Sequence, residues 1–179
     1  MDLKKITAGK KAPQEINVVI EIPQGSAVKY EFDEEIDAME VDRFIGSASV
    51  YPFNYGFIPH TLADDGDATD VLVLSSMPVA PGAVMVCRPI GYLEMEDEHG
   101  IDTKILAVPT EAVDPFYAHI DDIKNVDVPT QERIKLFFKQ YKEMETERWS
   151  KVQDFAGKKA ALKVIKETMD EFNKKAKKK

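Results

Sequence analysis

The chain is poor in cysteine, has no long apolar run and carries no excess of positive charge, and each absence removes a class of protein. A single cysteine, Cys87, cannot form an intrachain disulfide. It sits in an apolar, strand-like run and reads as a core residue of a protein from a reducing cytoplasm. No stretch approaches the roughly 18 apolar residues of a membrane span, and Met1-Asp2-Leu3-Lys4-Lys5 lacks the apolar core of a signal peptide. A cytoplasmic protein without a membrane partner is expected. The formal net charge is −8, with a pI near 5.0, which disfavours nucleic acid as a partner. The one basic block, Lys174-Lys175-Ala176-Lys177-Lys178-Lys179, is terminal and reads as frayed and solvated. Neither a repeat nor a linker divides the 179 residues, so one domain over 1–179 with a proper core is expected.

What the chain has is clustered carboxylate. Asp65-Gly66-Asp67-Ala68-Thr69-Asp70 puts three acids into six residues, directly before the apolar run Val71-Leu72-Val73-Leu74. Three Asp this close repel one another unless something cationic sits among them. In an extended segment Asp65 and Asp67 point the same way, and Asp70 lies where the chain enters a strand. Hard oxygen donors suit Mg²⁺ better than Zn²⁺, which favours His and Cys. An EF-hand is excluded, because its spacing would need Gly where Asp70 stands and Glu where Ser76 stands.

The first half of the chain reads as strands. Asn17 to Ile22 ends at Pro23, and Val28 to Phe32 follows a Gln24-Gly25-Ser26 turn, with Lys29 and Glu31 on one face and Tyr30 and Phe32 on the other. Further strands are expected at about Ala38 to Phe44, Val71 to Leu74, Ala83 to Met95 and Thr103 to Val108. Asp97 and Asp102 flank the loop Glu98-His99-Gly100-Ile101 and are expected to face each other across its mouth, with Lys104 on the side of Asp102. Helical spacing of Ile134, Phe137, Phe138 and Tyr141 predicts a helix over Gln131 to Glu147, begun at Pro129-Thr130. Ala161, Ile165, Met169 and Phe172 predict a second helix after Gly157. Short strands followed by two amphipathic helices argue for an α+β arrangement, a small β-barrel with helices packed outside it.

Against the carboxylates stand the cations Lys29, Arg43 and Lys104 on strand-like segments and Lys142 on the first helix. Tyr51 and Tyr55 lie in the run Tyr51-Pro52-Phe53-Asn54-Tyr55-Gly56-Phe57, and Tyr141 adjoins Lys142. Carboxylates on one wall and Lys, Arg and Tyr donors on the other suit a polyanion such as phosphate, bound with divalent ions. Phosphoryl transfer needs charge neutralisation and positioning more than a protein nucleophile. No Ser elbow motif is present, Cys87 has no general base beside it in sequence, and His60, His99 and His119 show no ligand spacing. Glu94, Glu96 and Glu98 read as solvated hairpin charges.

These segments together resemble the soluble family I inorganic pyrophosphatases of bacterial type. The carriers are Val19-Ile20-Glu21-Ile22-Pro23, Lys29-Tyr30-Glu31, Val41-Asp42-Arg43-Phe44, Tyr51-Pro52-Phe53-Asn54-Tyr55-Gly56, the triple-Asp run, Asp97 with Asp102 and Lys104, and Tyr141-Lys142. The resemblance runs from about Val18 to the final helix, and so many motifs in one order make it specific. It implies a five-stranded OB-like barrel with flanking α-helices. It implies hydrolysis of pyrophosphate to two phosphates without a covalent intermediate, with several Mg²⁺ per site and Mn²⁺ or Zn²⁺ as substitutes. By the same resemblance Asp65, Asp70, Asp97 and Asp102 are metal ligands, supported by Glu21 and Glu31, and Asp67 orients or deprotonates the attacking water. Lys29, Arg43, Tyr55, Tyr141 and Lys142 grip phosphate, while Lys104 and Tyr51 tune the nearby carboxylates. A homohexamer is implied too. Apart from the resemblance, helix faces such as the one bearing His119 or Phe137 are candidate interfaces. The signature usually carries Pro or Glu where Ala68 stands and an apolar residue where Thr69 stands.

Two readings of other classes fit parts of the pattern. One is a non-catalytic OB-type module that binds nucleic acid or a partner protein, but such a module has no need of five clustered Asp. The other is a metal-dependent phosphohydrolase acting on nucleotides, for which no base-stacking or ribose-binding element stands out.

Overall fold

The computed structural model of the chain describes residues 5–33, 35–98, 100–145 and 148–177. The strands among them are β1 (Ile16–Ile22), β2 (Val28–Asp33), β3 (Ala38–Phe44), β4 (Asn54–Ile58), β5 (Thr69–Val73), β6 (Val84–Asp97), β7 (Gly100–Ile101), β8 (Lys104–Pro109) and β9 (Ser150–Gly157). The helices are α1 (Val128–Gln140) and α2 (Lys158–Ala176). Apolar β1 is paired along both edges, antiparallel to β4 and to β6. From β4 the ladder passes to β5, then in parallel to β8, and on to β6. Because β6 also pairs with β1, the path returns to its start. β7 and β9 add to the far part of β6, and β2 with β3 forms a separate two-stranded sheet.

Alternation along the strands divides the core in two. Val71, Val73, Ile105 and Ala107 turn toward Ala161 and Ile165 of α2. Leu72, Leu74, Leu106 and Val108 join the cluster that holds Ile134, Phe137 and Phe138 of α1. Cys87 is fully buried on the α2 side. Phe137 is 4 % exposed and packed in the core, whereas His119 is exposed. Gly56 is required where β1 and β4 meet, since a Cβ there would stand 1.9 Å from the Val19 carbonyl oxygen.

The helices begin where their caps allow. Asp127 accepts the Thr130 N–H at 2.9 Å and Pro129 lies in the first turn of α1. α2 starts after Gly157, and Asp122 from a distant loop accepts the Lys158 N–H at 3.0 Å. α1 stops at Gln140, shorter than the expected Glu147, which lies outside the described residues together with His99, Lys178 and Lys179. The reason is local. Ser150 takes the Phe138 carbonyl at 2.5 Å, and the chain turns after Tyr141 so that Lys142 points inward. Lys142 therefore follows the helix instead of riding on it. β9 had no sequence signal, for half of its residues are polar and none is fully buried.

Candidate active site

A cleft of about 860 Å³ opens between the closed strand path, the β2–β3 sheet and the ends of both helices. It is lined by every residue singled out above: Glu21, Lys29, Glu31, Arg43, Tyr51, Tyr55, Asp65, Asp67, Asp70, Asp97, Asp102, Lys104, Tyr141 and Lys142.

Two strand irregularities deliver acids to it. In β1 the register passes from Ile20↔Gly56 to Ile22↔Tyr55, which leaves Glu21 outside the ladder. The Glu21 carboxylate accepts the Phe32 N–H of β2 at 2.9 Å. In β2–β3 the register passes from Lys29↔Arg43 to Tyr30↔Val41, which leaves Asp42 unpaired in the same way. Asp42 then lies 3.0 Å from Lys29 Nζ and also pairs with Arg43. Lys29 further pairs with Glu31, and Arg43 Nε donates to Glu145 at 2.8 Å. Asp42 and Glu145 had no sequence signal of their own beyond the motif that contains Asp42.

The acidic run differs from the extended segment expected. It is a turn with Gly66 at φ +98°, in which Asp65 accepts the Asp67 N–H at 3.0 Å. Asp70 is the second residue of β5, opposite Phe57. Asp97 and Asp102 also differ from the expected facing pair. Asp97 is opposite Gly100, while the Asp102 N–H donates to the Met95 carbonyl at 2.9 Å, so the two are staggered along β6. Lys104 does share a side with Asp102: its Nζ is 2.5 Å from Asp102 Oδ1 and 2.5 Å from Asp70 Oδ2. Lys142 Nζ donates to Asp97 at 2.9 Å and to Glu98 at 3.1 Å. Glu98 is thus tied into the site instead of solvated as expected. Lys175 lines the cleft too; it is solvent-exposed as expected, but α2 continues through Ala176 where a frayed end was expected.

Burial and mutual repulsion set the protonation of these groups. Burial pushes the Glu21 carboxyl up to about 8, against the opposing hydrogen bond from Phe32. Asp67 is exposed to solvent by surface area, but partial desolvation by the cleft around it, together with the charges of Asp65 and Asp70, raises its carboxyl above the ordinary value. Burial raises Asp102 as well and outweighs the attraction of Lys104. Tyr51 and Tyr55 are held far above the usual phenol value by burial, and Tyr141 is raised for the same reason. Burial opposes the charge on Lys104, but Asp70 and Asp102 hold its ammonium well above the usual value. All three phenols therefore stay protonated donors near neutral pH.

The residues matched by the family model described as "Inorganic pyrophosphatase" are 18–173. The chain belongs to the inorganic pyrophosphatase family. It is 53 % identical over 174 residues to the inorganic pyrophosphatase of Aquifex pyrophilus, covering 97 % of this chain and 98 % of that one. It is 48 % identical over 166 residues to that of Saccharolobus solfataricus, covering 93 % and 96 %. The crystal structure of inorganic pyrophosphatase from Thermus thermophilus superposes with a TM-score of 0.93 at 42 % identity, over 97 % of this chain and 99 % of that one. Membership in the pyrophosphatase family brings dependence on divalent metal.

The donor set of this cleft fits such an ion by chemistry. Nine acidic residues line it against six basic ones, and none of its lining is Cys. The one histidine, His60, is stacked on Phe172 with ring centroids 4.9 Å apart. Oxygen donors in excess favour a hard divalent cation. Among the described residues no three Asp, Glu, His or Cys side chains stand grouped as a ready-made metal cage. Lys104 instead stands between Asp70 and Asp102, so ligation there requires its ammonium to share or shift. No helix among the described residues is long and apolar enough to cross a membrane.

Proposed function

We propose that the chain is a Mg²⁺-dependent inorganic diphosphatase that hydrolyses pyrophosphate to two phosphates without a covalent intermediate. The observation that carries this reading is the make-up of one cleft, where acidic residues in excess face Lys, Arg and Tyr donors. In this reading Asp65, Asp70, Asp97 and Asp102 hold the divalent ions, with Glu21 and Glu31 in support, and Mn²⁺ or Zn²⁺ substitute. Bound there, Mg²⁺ supplies an acidified water and offsets phosphate charge.

The protein's own groups do the rest. Asp67 accepts the proton of the attacking water at a carboxylate oxygen. Its raised affinity for protons makes it a better base than an ordinary surface Asp. Lys29, Arg43 and Lys142 donate charged hydrogen bonds to phosphate oxygens. Tyr55 and Tyr141 donate neutral ones, since burial keeps their phenols protonated. Lys104 balances Asp70 and Asp102, and Tyr51 backs Tyr55, with ring centroids 5.3 Å apart.

We further read residues 1–179 as one domain and the closed strand path as a five-stranded OB-like barrel with flanking helices; the β1–β6 pairing supports this. A cytoplasmic homohexamer completes the reading. Exposed Phe44, Phe116 and Val128, at 72 %, 77 % and 68 %, are apolar surface that association would cover.

The test is phosphate release from pyrophosphate by the purified protein, with Mg²⁺ and with EDTA, beside ATP as an alternative substrate. Fast release that EDTA abolishes, with pyrophosphate preferred, is expected. Folded protein that releases nothing with any of the three metals would return the chain to a binding module.

A further inference from the structure

One wall of the cleft is formed by α2, which the proposed chemistry does not use. The helix turns one stripe inward: Ala161 and Ile165 are buried under the strands, and Thr168 and Phe172 continue the stripe toward the loop that carries Asp65, Asp67 and Asp70.

Thr168 holds that loop at both ends. Its carbonyl oxygen accepts the Leu62 N–H at 2.9 Å. Its hydroxyl accepts the hydroxyl proton of Thr69 at 2.9 Å and donates its own to the Ile165 carbonyl at 3.1 Å. The direction of this relay is fixed, because Thr69 is 2 % exposed and the Ile165 carbonyl can only accept. Thr69 is held from a second side, where its N–H donates to Thr61 Oγ1 at 2.9 Å, and Thr61 donates to the Ile58 carbonyl at 2.6 Å. One turn further along α2, the Phe172 ring lies 8° from parallel to His60. Leu62 and Thr69 bracket the acidic turn, so the helix sets the span the turn must bridge. Inside the bracket the loop supports itself through the Ala63 N–H to the Asp67 carbonyl at 2.8 Å. A β-branched residue in a helix interior costs propensity relative to Ala; here its hydroxyl and carbonyl both find partners on the loop.

We propose that Thr168 is a positioning residue for the acidic loop, and that its hydroxyl bond to Thr69 fixes the spacing of Asp65, Asp67 and Asp70 and thereby the affinity for a divalent cation. The proposal rests on the metal-binding part of the function proposed above. Thr168 touches neither ion nor substrate; it acts through the loop.

The test compares the unsubstituted protein, Thr168→Val, Thr168→Ser and Thr69→Val by calorimetric titration with Mg²⁺ alone, beside pyrophosphate turnover as a function of Mg²⁺ concentration. Valine keeps the shape and the helix carbonyl but removes the hydroxyl. Losing one net hydrogen bond's worth of preorganisation weakens Mg²⁺ binding about fivefold. Thr168→Val is expected to show that loss, with kcat at saturating Mg²⁺ nearly unchanged, and Thr168→Ser is expected to restore affinity. Thr69→Val removes the same bond from the loop side and serves if Thr168→Val does not fold. Folded valine variants that bind Mg²⁺ as tightly as the unsubstituted chain would overturn the proposal, as would a Ser variant as weak as Val. Weakened Mg²⁺ binding in a protein that leaves pyrophosphate intact would sink the diphosphatase reading and leave the role of Thr168 standing. An unsubstituted chain that binds no Mg²⁺ would overturn both.

Discussion

The ammonium of Lys104 lies 2.5 Å from Asp70 Oδ2, joining the first residue of β8 to the second residue of its parallel neighbour β5 in the wall of the cleft. Its other contact, to Asp102, is equally short, and Lys104 itself is 5 % exposed. Removing this charge would leave two partly buried carboxylates facing each other.

Lys104→Met keeps the apolar stem and removes the ammonium. Breaking a buried pair by deleting one partner costs about 3 kcal/mol at the low end, and the low end applies because Asp70 keeps some access to water. Urea unfolding in EDTA is expected to register that loss, and Mg²⁺ to recover part of it by supplying the missing positive charge. A variant as stable as the unsubstituted chain in EDTA would mean that Asp70 and Asp102 relax apart freely.

Asp67→Asn separates fold from turnover. Asp67 lies on an exposed turn whose backbone is organised by Asp65 and Gly66, so an amide at 67 leaves the turn's own hydrogen bonds in place. A general base contributes about 10²–10⁴ in rate. Turnover is expected to fall by at least about 100-fold while the circular dichroism spectrum and melting midpoint stay unchanged. Normal turnover by a folded variant would remove Asp67 from the proton-accepting role.

Gly56→Ala tests the close approach of β1 and β4. The added methyl would meet the Val19 carbonyl oxygen at 1.9 Å, and backbone on both strands would have to move. A clash of this kind is expected to cost about 3 kcal/mol or more, read as a lower urea midpoint. Gly46→Ala is the control, since its nearest contact would be an ordinary 3.5 Å from Met144 Cβ; its effect is expected within about 0.5 kcal/mol.

The acidic run was legible in the sequence because its three Asp are close along the chain, and their lining of one cleft needs only a turn. Strands such as β3 were legible because turns and apolar alternation bound them. The family resemblance reached further, to Lys142, whose partner Asp97 is 45 residues away. What escaped were contacts without a local pattern. Glu98 looks like any solvated hairpin acid until α1 ends early and Lys142 turns back to it. Glu145 meets Arg43 across 102 positions, and Thr69 meets Thr168 across 99. Asp42 is displaced by a bulge that period-two reading cannot anticipate. The tight Asp65–Gly66–Asp67 turn departs from the extended segment expected, since a glycine in sequence admits both extended backbone and the φ of +98° that the turn takes.

Cys87 offers a readout of the core that is independent of the cleft. It is fully buried among Ile16, Val18 and Ile105 on the α2 side, and burial in these apolar surroundings pushes its thiol well above the usual value. A raised value means less thiolate at any given pH, and thiolate is the reactive form. In the folded protein the thiol therefore stays protonated and inaccessible across pH 7–9, whereas the unfolded chain ionises through its ordinary value in that range. Labelling by a chromogenic disulfide at pH 8 is expected to be about 100-fold slower, or more, in native protein than in urea. Raising the pH to 9 should speed the unfolded reaction and leave the native one limited by opening of the core. Native labelling at the unfolded rate would mean that α2 does not cover this face of the strands in solution.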